Sequence, residues 1–462
     1  MNAISRIDST LPVAIIGAGP VGLAAAAHLI TRGLPVTVLE AGDSVAANVR
    51  RWGHVQLFSP WSYNIDKAAR ALLEKTGWQA PKRSVHPTGA ELYEQYLKPL
   101  AETPEMAAVI RYGARVTGVS RLGFDKMKSA GRDNAAFSVM VRSTDSREDA
   151  LLAAAVIDTS GTWTQPNPLG ANGLPVPGET AAAKSDPRAI AYGVADVAGA
   201  EAMHYAGERV LVVGAGHSAA NMLLDLAKLK DRAPDTRILW AVRDASLARL
   251  FGGGANDKLA ARGALGQALE RLVQSGGVDL HMQSTVRRID HGSDGLTVTL
   301  ARPDGAVSIL TVDRIVASTG QRPDLQMLRE IRLDLDPATE SPRVLAPLID
   351  PNVHSCGTVR PHGHHELAQP DAGFYIAGIK SYGRAPTFLM ATGYEQVRSI
   401  VAAIAGDVAA ADDVQLDLPE TGVCSSNLVT VDVPAATGCA PSSCSTPAVK
   451  PKIAVTAAKS CC

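Results

Sequence analysis

The chain has 462 residues, enough for two or three domains with buried cores, and its 46% hydrophobic content is that of a globular protein rather than a disordered one. Its 45 Lys and Arg balance 46 Asp and Glu, which leaves neither a basic stripe for nucleic acid or a membrane surface nor an acidic block for a cationic partner.

The first apolar stretch, LPVAIIGAGPVGLAAAAHLI over residues 11–30, has the length of a membrane span. Three spaced glycines and His28 interrupt it, with no strongly basic leader before it and no small-residue cleavage site after it. A strand, a tight turn and a buried helix fit it better, and a cytoplasmic location is expected, with the cysteines as thiols. The strand runs into Gly17, Gly19 and Gly22, an Ala-rich helix follows, and a second strand, PVTVLE, ends at Glu40. In a dinucleotide-binding βαβ unit the first glycine makes the turn and the second lets a pyrophosphate approach the helix N-terminus. The third permits close packing, and the acid binds a ribose 2′-hydroxyl.

Aromatic residues are 4% of the chain, yet Trp52, Phe58, Trp61, Tyr63, Trp78, Tyr93 and Tyr96 crowd into the stretch after Glu40. They either wall a bound ring off from water or fill the core of a helical insertion. AAFSVMVRSTD then reads as part of a small β meander, and AVIDTSGTW as an apolar strand ending in a glycine turn. A second strand-turn-helix unit, ERVLVVGAGHSAANMLLDLAKL, places Gly214, Gly216 and Ala219 at the three turn positions, with Ser218 beside them. Its closing strand, RILWAVRD, carries Arg243 where the first unit has an acid. A guanidinium there suits the 2′-phosphate of NADPH, or else is an ordinary solvated arginine.

RIVASTGQRPD repeats the strand and glycine turn, and both such turns fall where the chain would cross between two domains. CGTVRPHGHHELAQPD gathers Cys356, His362, His364 and His365. Three such histidines can ligate a metal, but the adjacent His364 and His365 point apart on any regular backbone, so a polar loop is the expected reading. FYIAGIKSYGRAPTFLMATGYEQVRSIVAAI gives a last strand, a loop at Gly378 and a helix from about Thr392 and Gly393, whose N–H groups are aimed at a bound ring. From about Ala409 periodicity gives way to Ala, Ser, Thr, Pro and Val, as in a flexible appendage. Five of the six cysteines lie there: Cys424, Cys439, Cys444, Cys461 and Cys462. Thiolates on a mobile arm can gather around one soft metalloid, or they are unselected tail residues.

Two glycine turns with opposite residues at the ends of their second strands resemble the two-dinucleotide-binding-domain flavoproteins, over about residues 12–406. This group holds flavin-containing monooxygenases and pyridine nucleotide-disulfide reductases. The resemblance implies an α/β fold of two Rossmann-like domains, three-layer ββα in type, with a flexible C-terminal tail. The FAD-binding domain is expected over 1–164 and 318–408, the NADPH-binding domain over 165–317, and the tail over 409–462. FAD is then expected on Gly17, Gly19, Gly22, Glu40, Trp52, Gly378, Thr392 and Gly393, and NADPH on Gly214, Gly216, Ser218, Ala219 and Arg243.

Disulfide reductases of this group keep a cysteine pair after the first acid or in the NADPH domain, and neither region here has a cysteine. The expected activity is therefore a monooxygenase. In that chemistry a hydride passes from NADPH to the flavin, O₂ adds to give a C4a-hydroperoxide, and a soft nucleophile takes the distal oxygen. Trp52, Trp61 and Tyr63 would wall the flavin, and Asn64 resembles the asparagine that steadies the oxygen adduct in flavin-containing monooxygenases. Two family features are missing. Tyr192-Gly193 and His204 do not make the Phe-x-Gly-x-x-x-His linker, and Gly378 is followed by Ile379 and Lys380 instead of an aspartate.

LFSPWSYNID, PTGAELYEQYL, VLVVGAGHSAANMLLDL and KSYGRAPTFLMATGYEQVRS are similar to flavin monooxygenases encoded in bacterial arsenic-resistance operons, which implies an arsenic or sulfur compound as substrate. O₂ and a small molecule are the expected partners, with a homodimer as the assembly. Cys461 and Cys462 resemble the C-terminal pair of mercuric reductases. An NADPH-driven reductase working through the tail thiols, and a non-catalytic metalloid-binding or sensing flavoprotein, stand as alternatives.

Overall fold

The structure is a computed structural model that describes residues 10–252, 260–352, 359–386 and 388–416. Cys356 and the five tail cysteines, Cys424, Cys439, Cys444, Cys461 and Cys462, lie outside the described residues, and so does their expected role as metalloid ligands.

Short, mostly apolar strands suit a parallel sheet covered on both faces. Five such strands form the first sheet: β1 (Val13–Ile16), β2 (Val36–Leu39), β3 (Ile110–Arg111), β7 (Ala155–Asp158) and β16 (Phe374–Ile376), in the spatial order β16-β7-β1-β2-β3. All four pairings are parallel, and β16 brings a strand from the far end of the chain beside β7. Because side chains alternate along a strand, the four longer strands each supply two cores. Val13, Ile15, Val36, Val38 and Ile157 pack against helix α1 (Pro20–Thr31) and against the last long helix of the described fold, Met390–Ile404. Ala14, Ile16, Leu39, Val156 and Phe374 face the other way, onto Val119, Phe137, Val139 and Val141. Those residues belong to an antiparallel sheet of β4 (Arg115–Arg121), β5 (Phe137–Arg142) and β6 (Glu148–Ala153), the meander expected from the sequence. Leu23 and Leu29 of α1 are fully buried, each contributing about 1.5–3 kcal/mol of apolar burial.

The second parallel sheet repeats the plan with β8 (Ile190–Tyr192), β9 (Arg209–Val213), β10 (Arg237–Ala241), β11 (Asp279–His281) and β15 (Arg314–Ala317), ordered β11-β10-β9-β15-β8. Val210, Val212, Ile238, Trp240 and Val316 face helix α2 (His217–Arg232), which meets them with Ala219, Ala220, Leu223 and Leu226. Leu211, Val213, Ile315 and Ala317 face a second antiparallel sheet of β12 (Thr285–Gly292), β13 (Gly295–Ala301) and β14 (Val307–Val312). Both halves are thus layered ββα, as the sequence implied.

The two segments that pass between the sheets run side by side. Asn167 N–H donates to Gly320 O at 2.9 Å, and Arg322 N–H donates to Gln165 O at 2.9 Å, around an antiparallel bridge of Pro166 with Gln321. Three of the helices that follow are labelled α3 (His364–Leu367), α4 (Met390–Ile404) and α5 (Val408–Asp412). No helix among the described residues is long and apolar enough to cross a membrane.

Candidate active site

At the first glycine turn each glycine has a distinct physical reason. Gly17 has φ +97°, a left-handed conformation that favours glycine, and a Cβ there would lie 3.0 Å from Ser160 Cα. A Cβ on Gly22 would lie 2.0 Å from Gly17 O, so this glycine lets α1 close onto its own entry turn. Gly19 is the opposite case, with nothing within 4 Å of a Cβ. The space in front of the helix N-terminus is open, as a phosphate needs.

Glu40 lies at the end of β2 and reaches back to this turn: Oε2 accepts from Ala18 N–H at 2.7 Å and Oε1 from Gly42 N–H at 2.8 Å. Each carboxylate oxygen keeps a second lone pair for a ribose hydroxyl.

Helix α4 completes this corner. A Cβ on Gly393 would lie 2.6 Å from Val21 Cγ2, so the first turn of α4 rests on the first turn of α1. The helix begins at Met390, two residues before the expected start, and the amides of Thr392 and Gly393 already donate to Leu389 O. The amides ahead of the helix's own ladder are therefore those of Met390 and Ala391. Gly378, at φ +72° after β16, also abuts Val21, and its N–H donates to Gln396 Oε1 at 2.8 Å.

Where the sequence has Lys380 instead of the family aspartate, the structure supplies its partner. Lys380 Nζ donates to Asp158 Oδ2 at 2.7 Å and to Ser160 Oγ at 3.0 Å, and both charged side chains are fully buried. The ammonium is thus tied to the C-terminal end of β7, next to the Gly17 turn. Neither Asp158 nor Ser160 stood out in the sequence. The one signal was the cation where an anion is usual.

The second turn is built alike. Gly214 has φ +137°, and a Cβ there would lie 2.2 Å from Ser318 O; Gly216 has nothing within 4 Å of a Cβ. Ala219 is fully buried against the sheet and Ser218 half-buried in the first turn of α2. Trp240 Nε1–H donates to Gly214 O at 2.8 Å, a brace that the sequence reading did not pick out. Arg243 stands two residues past β10, exposed, with only a 3.5 Å contact to Ala171 O.

The aromatic strip divides into parts. Trp61 is buried in the core cluster, and Trp52 lies over Gly89, where a Cβ would come 2.7 Å from its ring. Tyr63 is half-buried. Asn64 is fully buried: Oδ1 accepts from Ser59 Oγ and Nδ2 donates to Ser59 O, both at 2.7 Å. Its own carbonyl accepts from Tyr394 OH at 2.9 Å, which ties the strip to α4. Asn64 thus closes a loop with both ends of its amide. Phe58 does something else, stacking tilted on His217, the first residue of α2, with ring centroids 5.0 Å apart. Side chains of the first unit's insertion therefore reach the helix that follows the second glycine turn.

The histidines also separate. His362 is buried and accepts from Gln396 Nε2–H at 2.9 Å, while its Nδ1 lies 3.0 Å from Arg360 O. Burial pushes its imidazole below the ordinary histidine value. His364 and His365, expected to point apart, instead converge with ring centroids 3.9 Å apart, because both imidazoles turn to one acceptor, Asp412 Oδ1.

Residues 14–345 match the protein family described as pyridine nucleotide-disulphide oxidoreductase. Indole-3-pyruvate monooxygenase YUCCA1 of Oryza sativa subsp. japonica is 28% identical over 230 residues, which are 49% of this chain and 48% of that protein. The chain spans about half the length of this curated relative. Bacillithiol disulfide reductase Bdr (YpdA) from Bacillus cereus shares the fold with TM-score 0.63 at 20% identity, over 86% of this chain and 99% of that one. DfoA, the FAD-bound cadaverine monooxygenase of Erwinia amylovora, gives TM-score 0.59 at 13% identity, over 90% and 99%. Ornithine hydroxylase PvdA from Pseudomonas aeruginosa gives 0.56 at 17%, over 86% and 99%.

Proposed function

The chain belongs to the pyridine nucleotide-disulphide oxidoreductase family, whose members are flavin-dependent oxidoreductases, and from that premise we propose that it binds FAD at the Gly17 turn and NADPH at the Gly214 turn and acts as a monooxygenase on a soft heteroatom. Once bound, the flavin would supply the redox chemistry, hydride acceptance from NADPH and transfer of one oxygen atom of O₂ to the substrate with the other released as water.

The chain's own residues do the rest. Gly19 and Gly216 leave room for the two pyrophosphates, which the N-termini of α1 and α2 attract through their unpaired amides. Glu40 accepts from the FAD ribose. Arg243 is free to turn from its weak contact with Ala171 to a 2′-phosphate. The Met390 and Ala391 amides at the tip of α4 offer hydrogen bonds to the flavin ring. Burial of Trp61 and Asn64 keeps the cover of that ring rigid.

The observation that carries the reading is the Phe58–His217 contact, because hydride transfer needs the two nucleotide turns on one side of the molecule. Oxygen transfer is favoured over disulfide reduction because the only cysteine before residue 424 is Cys356. The substrate class, a trivalent arsenical or a thioether, rests on the sequence likeness to monooxygenases of arsenic-resistance operons.

The test follows NADPH oxidation by the flavin-loaded protein with and without O₂, using methylarsenite or a thioether, for the full chain and for one cut after residue 416. Turnover that requires O₂, survives the cut and yields a product heavier by one oxygen is the expected result. Turnover without O₂ that is lost with the tail would make the protein a thiol-relaying reductase, and absence of flavin reduction would make it a binding protein.

A further inference from the structure

We propose that His364, His365 and Asp412 form a binding site for a divalent first-row transition metal. His364 Nε2 lies 2.8 Å and His365 Nε2 3.0 Å from the same oxygen, Asp412 Oδ1. The three ligand atoms all lie within 4.8 Å of one another, and they are the one such group of His, Cys, Asp or Glu side chains among the described residues. Metal–ligand bonds of about 2.0–2.1 Å would put tetrahedral ligands roughly 3.3 Å apart, so Asp412 Oδ1 has to part from the two imidazole nitrogens by only about 0.3–0.5 Å to admit an ion. Two imidazoles with one carboxylate suit zinc, cobalt, nickel or copper rather than calcium or magnesium, and three protein ligands leave a position for water.

The ligands come from two separate elements, and one residue fixes both. Ser399 Oγ, buried on α4, accepts His364 N–H at 3.0 Å and donates to Ala411 O at 2.7 Å, so α3 and α5 hang from the same hydroxyl. A Cβ on Gly363 would come 2.2 Å from Ser399 Oγ, which makes this close approach possible only for glycine. Arg398 braces α5 further through Ala410 O and Asp413 O. The site is thus positioned before any ion arrives. Its anchor lies about 9 Å along α4 from Gly393, at 1.5 Å per residue, so an ion would bind away from the first glycine turn and act as a clasp on the end of the fold.

The full-length protein, stripped with chelator and with its thiols capped by N-ethylmaleimide, is titrated with Co²⁺ alongside His365→Ala and Asp412→Asn, with visible absorbance and the thermal midpoint recorded. The parent is expected to bind one equivalent more than either variant, without a thiolate charge-transfer band, and to melt at a higher temperature with metal. In the variants the affinity should fall at least tenfold and the thermal shift should vanish. Equal stoichiometry and affinity in all three proteins would overturn the site, as would a parent that binds no Co²⁺. The His365 side chain is 71% exposed, so its removal leaves folding intact, which circular dichroism checks.

Discussion

Gly19 and Gly22 are three positions apart and differ in what surrounds them, open space at the first and the chain's own backbone at the second. Alanine at Gly19 meets nothing, whereas alanine at Gly22 drives a methyl into Gly17 O at 2.0 Å. Gly19→Ala should keep the thermal midpoint of the flavin-free protein near the parent's while flavin retention falls at least tenfold. Gly22→Ala should lose about 1–3 kcal/mol of stability by overpacking even without ligand. Thermal melts of apoprotein together with the yellow absorbance after gel filtration distinguish the two. The glycine turn and the return of Glu40 to it were legible because a tight strand-to-helix turn imposes a fixed spacing on the chain. The buried Lys380–Asp158 pair was not, since Asp158 and Lys380 are 222 residues apart and nothing local predicts their meeting. Asn64 shows the converse. Its identity matched a catalytic residue of a resembling family, but its amide is committed to Ser59.

At the scale of elements, the strands were readable and the last long helix only in part. Runs such as Val13–Ile16 declare a doubly covered strand by having no polar face, while α4 starts on Leu389, an N-cap without a side-chain acceptor and so without a sequence signal. What positions α4 is tertiary. Gln396 is locked by three partners: its Oε1 accepts from Gly378 N–H, and its Nε2 faces Ser381 Oγ and His362 Nε2. His362 must therefore accept at Nε2 and donate from Nδ1 to Arg360 O, which makes it the neutral tautomer. The charges nearest to it, Glu366 and Arg360, act in opposite directions, and burial prevails to lower its pKa. Because the folded pKa lies below the unfolded value of about 6.5, the unfolded chain takes up the proton first. Stability contributed by this site is then present above about pH 6.5 and is lost as pH falls from there toward the folded pKa, by at most about 1.4 kcal/mol per pH unit. Denaturant titrations at stepped pH should show this slope, and His362→Gln should flatten it. Flavin retention should weaken only at lower pH still, near and below the folded pKa, where the folded protein itself takes up the proton and the His362–Gln396 link is lost.

Among the described residues, the two ββα bodies meet at junctions of different character, two of which stand out. The crossing segments are held backbone to backbone, with Asn167 also donating through Nδ2 to Thr319 O at 3.1 Å and accepting at its carbonyl from Thr319 Oγ1 at 2.6 Å, so this junction is stiff. The other includes the aromatic contact of Phe58 with His217. Such a pair contributes about 0.5–1.5 kcal/mol beyond its area burial, enough to bias the relative placement of two bodies but too little to fix either fold. Sequence could announce each body, because each repeats a local βαβ pattern. It could not announce the contact, because Phe58 looks like one more member of an aromatic strip until the second body is placed against it. Phe58→Ala should therefore leave flavin content, the thermal midpoint and NADPH affinity close to the parent's. It should slow reduction of the bound flavin by roughly tenfold, because misplacement by about an ångström is enough to spoil a transfer geometry. Stopped-flow reduction under anaerobic conditions isolates that step from the reaction with O₂. A parent-like reduction rate in the variant would mean that Phe58 merely fills space and that the crossing segments alone set how the two nucleotide turns face each other.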